Sequence, residues 1–148
     1  MAWLDLILKI SAILGGALAV LTFWRAASVR RAEWLSNLHA KFFETASYKQ
    51  IRRALDSSEA STELSQLRAD IASDETSELV EGFVDYLNFF EFVASLRKLR
   101  QLKTKEIIML FDYYLRLLGK HDFVRSYIRE HGFEELEALL KECVDRKK

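Results

Sequence analysis

Five cations fall within nine residues of this chain: Arg97, Lys98, Arg100, Lys103 and Lys105. Guanidinium and ammonium groups at that density attract phosphate, because each donates charge-assisted hydrogen bonds to its oxygens. Thr104 stands where it can cap a following helix, whose free amides would add to the attraction. Lys120 and Arg125 lie further along the same positive stretch and are weaker candidates for the same ligand. A second reading stays open, in which cations at a helix C-terminus complement the dipole and keep a surface soluble.

The other ordered polar pattern lies just before it. Glu81, Asp85, Asn88, Glu91 and Ser95 recur three or four residues apart, one stripe on an otherwise apolar rod from Leu79 to Leu96. Such a stripe is a narrow solvated face, or, where covered, a structural network. In the second case Asp85, Asn88 and Glu91 need partners, with the neighbouring arginines as natural candidates. A catalytic role for these carboxylates is the less favoured reading.

Nothing else spells an enzyme. There is no glycine-rich phosphate loop, no His-Glu-x-x-His, no paired Glu-x-x-His and no nucleophile elbow. His39, His121 and His131 are isolated from one another. Cys143 is the single cysteine, which leaves no intramolecular disulfide or thiolate cluster and suits a reducing cytosol. No metal or cofactor is expected. Tyr113, Tyr114 and Tyr127 could stack on bases, although tyrosines at helical spacing equally serve a core. The net charge of zero argues against binding DNA or long RNA.

The elements that must position these residues begin with a greasy segment. From Met1 to Trp24 only Asp5 and Lys9 are charged, and Trp3 and Trp24 bracket a stretch about 30 Å long as a helix, which matches a bilayer core. Arg25, Arg30 and Arg31 follow at once, so the positive-inside bias expects a single-pass anchor in a cell inner membrane with the remainder cytoplasmic. The rival is a signal peptide cleaved after Ala17-Leu18-Ala19; the lack of a basic amino end and the apolar run through Trp24 oppose it. Ser11, Gly15 and Ala19, with Ala12 and Gly16 on the next ridge, form small-residue ridges through which membrane helices associate, so a homo-oligomer is expected. Asp5 and Lys9, four apart, pair or reach the interface.

With no proline and five glycines, the remainder reads as all-α. The expected plan is a transmembrane anchor over 1–24, a juxtamembrane helix over 25–56 continuous with it, and a cytosolic helical domain over 57–148 that packs with 25–56, about five helices in the bundle. Ser57 to Thr62 is the clearest loop, with Ser61 or Thr62 capping a helix through Ala72 and Ser73 or Asp74 capping another. The segment Leu79 to Leu96 is the expected core. Lys105 to Leu118 follows, with Gly119 as its stop, then helices over 121–131 and over Phe133 to about Arg146. Charge alternates in blocks: +4 over 25–56, −8 over 57–96, +6 over 97–129 and −2 over 130–148. Such blocks attract one another or a partner.

The stretch Tyr86-Leu87-Asn88-Phe89-Phe90-Glu91-Phe92-Val93 resembles the bacterial family catalogued as domain of unknown function 4760, with Leu-Asn-Phe-Phe-Glu as its specific part. The likeness runs from about Trp34 to Leu140 and takes in Arg52, Arg53 and the Tyr114 to Ile128 region. It implies a helical domain, often attached to an amino-terminal membrane helix. Members tend to have a glycine and an acidic turn after the glutamate-bearing helix; this chain has Arg97 to Lys105 there. The overall plan is also similar, in architecture alone, to membrane effectors of type III CRISPR defence that bind cyclic oligoadenylate. That similarity implies an oligomeric, non-enzymatic sensor or effector for an anionic nucleotide; a scaffold holding a partner protein at the membrane is the alternative.

Overall fold

The computed structural model describes the backbone of residues 2–58, 61–73 and 76–145, and not the side chains of 2, 4–6, 8, 12, 144 and 145. It is all-α, with seven helices and no strand among the described residues: α1 (Ala2–Glu44), α2 (Ala46–Asp56), α3 (Thr62–Ala72), α4 (Glu78–Lys98), α5 (Thr104–Lys120), α6 (Asp122–Glu130) and α7 (Glu134–Asp145). Two compact units divide it, residues 1–41 and residues 42–148.

The first unit is helix alone. Its most apolar window has a mean hydropathy of 1.6 and none of it is buried, so α1 is long and apolar enough to cross a membrane. Trp3, Ile13, Leu18, Phe23 and Trp24 all stand exposed. An apolar surface of this extent requires a cover of lipid or protein.

The second unit holds six helices, and the extra one comes from a break. The single helix expected over 25–56 is interrupted at Thr45, whose backbone is extended. No glycine or proline causes the interruption. Arg52 of α2 donates to the carbonyls of Phe42 at 2.5 Å and Phe43 at 3.3 Å, satisfying C-terminal acceptors of α1 that a continuing helix would have used.

Phe42 then sits at the centre of the core, fully buried. Its ring lies 4.9–5.7 Å from those of Tyr86, Phe89, Phe90, Phe111 and Tyr114, mostly edge-on or tilted. Helix α4 is the hub, as its hydrophobicity predicts: it packs on α2, α3 and α7 and buries Phe83, Tyr86, Leu87, Phe90 and Val93. It crosses α2 closely at Gly82, where a Cβ would lie 3.4 Å from that of Ser47.

Caps set the boundaries. Ser61 caps α3 by accepting the Leu64 N–H, in line with the sequence. The cap of α4 is Ser77, neither Ser73 nor Asp74: it accepts the Val80 N–H at 3.3 Å and donates to buried Asp70 at 2.7 Å, and Asp74 itself lies outside the described residues. Thr104 is the first residue of α5, not its cap. The Lys103 N–H there is held by the Glu106 carboxylate at 2.8 Å. Gly119 does not stop α5, which runs on to Lys120. Gly132 does end a helix: at φ +81° it closes α6, with Phe133 donating to the Ile128 carbonyl in a Schellman turn. The end of α7 expected near Arg146 lies outside the described residues.

Candidate anion-binding groove

The polar stripe on α4 divides by height along the helix. Asp85 and Asn88 are exposed. Glu91 is half-buried, and its carboxylate accepts the backbone N–H groups of Glu135 at 3.2 Å and Leu136 at 2.7 Å. Its partners are the free amides at the start of α7, where a negative charge also meets the positive end of the helix dipole, and not the arginines expected from the sequence.

The five-cation cluster is divided in the same way. Arg97 pairs with Glu142 and Lys98 with Glu135, the latter at 2.5 Å, so both tie the end of α4 to α7. Glu135 holds the Lys98 ammonium above its ordinary range by hydrogen bonding. Arg100, Lys103 and Lys105 are exposed, with no ion pair among the described residues. Lys120 and Arg125 do not join them: α5 separates its two ends by roughly 24 Å at 1.5 Å per residue.

Arg125 belongs instead to a groove at the far end of α5. It donates to the Gly119 carbonyl at 2.6 Å and pairs with Asp122, which fixes its guanidinium at the rim. Arg129, one turn on, and Lys141 from α7 line the same groove, of about 360 Å³, over the apolar side chains of Ile128 and Leu140. These three cations meet two carboxylates, Asp122 at the rim and Glu137 in the lining. Glu137 takes Lys141 at 2.9 Å and, loosely, Arg129 at 3.7 Å, and the Lys141 hydrogen bond foremost holds it below the usual carboxylate range. At Gly119 a Cβ would meet nothing within 4 Å. A concave site with an apolar floor and surplus positive charge suits a small anion carrying an apolar or aromatic body.

Neither Arg129 nor Lys141 stands in a dense run of cations: Arg129 ends the positive stretch beside Glu130, and Lys141 is the single cation of an acidic helix. Their available signal was periodic: Arg125 and Arg129 are four apart, as are Glu137 and Lys141, so each pair shares a face.

A second groove, of about 400 Å³, lies where Asp70, Glu81 and Asp85 face Tyr127 and His131. The Tyr127 and His131 rings stack at 3.8 Å. Tyr113 binds Asp56 and Tyr114 joins the aromatic core, so the three tyrosines considered for base stacking point to three places. His121 is buried, and its Nε2 donates to the Leu55 carbonyl at 2.8 Å, tying the α5–α6 corner to the end of α2. No group of three or more metal-binding side chains gathers among the described residues. On α1, Ser11, Gly15, Gly16 and Ala19 are exposed; the Asp5 and Ala12 side chains lie outside the described ones.

Over residues 9–142 the chain matches the family described as Domain of unknown function (DUF4760), and it belongs to that family. No curated protein and no solved structure matches it.

Proposed function

We propose that this member of the domain of unknown function 4760 family is a non-enzymatic, membrane-anchored sensor or effector that binds an anionic nucleotide through its helical domain. The observation that carries the reading is the groove of Arg125, Arg129 and Lys141, three cations over an apolar floor that outnumber their two carboxylates, Asp122 and Glu137. Phosphate oxygens take the cations, and a base or ribose covers Ile128 and Leu140. The groove has room for one nucleotide unit. A cyclic oligoadenylate, the class suggested by the architectural similarity to antiviral effectors, therefore requires several copies of the chain around it. The α1 helix supplies the inner-membrane anchor with the domain on the cytoplasmic side, and its small-residue ridge supports assembly. Ligand binding must favour one state of the assembly over another for the membrane to be disturbed.

The test is calorimetry of the full chain in nanodiscs with cyclic oligoadenylates, cyclic dinucleotides and AMP. Saturable binding is expected, lost on Arg129→Glu with Lys141→Glu. Gly119→Met is expected to abolish it too by filling the groove, while Gly119→Ala leaves the helix at least as stable, since alanine exceeds glycine in helix propensity by about 1 kcal/mol. Absence of heat with every nucleotide rejects the reading. The acidic groove of Asp70, Glu81 and Asp85 favours the alternative, a scaffold for a basic partner protein. Co-purification of a partner that Glu81→Lys with Asp85→Lys releases would select it.

A further inference from the structure

We infer that the corner between α4 and α5 is a docking surface for an anionic lipid bilayer, an inference that rests on α1 being a membrane anchor. Leu99, at the tip, is 65% exposed, although it is an aliphatic side chain in a domain that buries Leu96 and Leu102 on either side of it. Around it stand Arg100, Lys103 and Lys105, exposed and without an ion-pair partner among the described residues. An apolar tip ringed by unpaired cations is complementary to a bilayer surface. The cations meet headgroup phosphates, and the leucine enters below them.

The corner is built to hold that arrangement. Arg100 donates to the Arg97 carbonyl at 2.9 Å, and Gln101 and Leu102 both donate to the Leu96 carbonyl, at 2.9 and 3.1 Å. These bonds close a Schellman turn whose left-handed residue is Arg100, at φ 57°, where glycine is the unstrained choice. The turn thus spends backbone strain to carry a cation at its outermost position. Lys103 and Lys105 occupy the N-terminal turn of α5, where positive charge opposes the helix dipole and only Glu106 offsets it in the first turn. The second feature is unfavourable in water and is relieved by an anion. Neither of the two grooves described above is lined by a residue of this corner.

The experiment places an environment-sensitive NBD label at Gln101→Cys in a Cys143→Ser background, with the full chain reconstituted in phosphatidylcholine vesicles with or without phosphatidylglycerol. The expected result is a blue-shifted label shielded from acrylamide only when phosphatidylglycerol is present. Lys103→Glu with Lys105→Glu should return the label to water, and Leu99→Ser should remove most of the shift. Arg129→Glu, in the nucleotide groove, should leave it unchanged. A label equally accessible in both lipid mixtures overturns the docking, as does equal shielding in both, which would exclude charge recognition. Alkaline carbonate separates the two levels of failure. An accessible label on a chain that resists extraction ends the docking surface alone, whereas extraction of the chain ends the anchor reading with it.

Discussion

The carboxylate of Glu91, midway along α4, accepts the backbone N–H of Leu136 at 2.7 Å and so caps a helix 45 residues away in the chain. One side chain thereby fixes both the direction in which α7 starts and the height at which it crosses the hub helix. The neighbouring Arg97–Glu142 and Lys98–Glu135 pairs hold the same two helices together one to two turns further along α4.

Removing that cap is costly. Glu91→Ala is expected to destabilise the domain by about 2 kcal/mol, since it strips two charge-assisted hydrogen bonds and leaves half-buried amides without acceptors. Glu91→Gln, which keeps an acceptor but not the charge, should lose about half as much. Urea unfolding of the full chain in detergent, followed by far-ultraviolet circular dichroism, measures both. A Glu91→Ala protein as stable as the parent would show that α7 is set by its apolar face alone.

Arg100 reverses the usual direction of a mutational effect. Arg100→Gly should raise stability by about 1 kcal/mol, because glycine adopts the left-handed turn without the side-chain clash and recovers more than its added unfolded-state entropy costs. The same change should weaken the docking proposed for the corner, so that stability in urea and the shift of the NBD label move in opposite directions.

Tyr86 makes stability depend on alkali. Its hydroxyl is buried without a hydrogen-bond partner among the described residues. Burial, above all, holds the phenol above the ordinary value of 10.0; Arg52 opposes the shift and Tyr114 adds to it. With the folded value raised, stability is whole below pH 10.0 and falls as the pH climbs beyond it, because the unfolded chain ionises first. Tyr86→Phe should add about 1 kcal/mol at neutral pH by deleting an unsatisfied hydroxyl, and should flatten the loss above that value. Urea titrations at neutral and alkaline pH test it, and an unchanged alkaline slope would assign the effect to other groups.

The fold was legible where burial and local chemistry agree. The aromatic run Tyr86 to Val93 announced the hub helix, and Ser61 before Thr62 announced a cap. Leu-Asn-Phe-Phe-Glu, the motif behind the family resemblance, turns out to be architecture: Leu87, Phe89 and Phe90 fill the core and Glu91 caps α7. The break at Thr45 was not legible, because its cause is Arg52 reaching back to carbonyls nine and ten residues earlier. Ser77 displaced Ser73 as a cap because Asp70, buried on α3, hydrogen-bonds it, a preference set by tertiary packing. The candidate groove was legible only at Arg125. Its other cations come from a second turn and a second helix, and linear charge density favours Arg97 to Lys105, where the fold has already used two of the five charges.

Because the ring at the middle of the aromatic core comes from Phe42, the last turn of α1 is part of the domain's interior. A cut in the chain just before Phe42 keeps that ring with the helices that surround it. Cutting a few residues later would remove the ring and leave a void among the aromatic side chains that pack on it. Keeping the central ring and losing it are therefore set apart by less than one turn of helix.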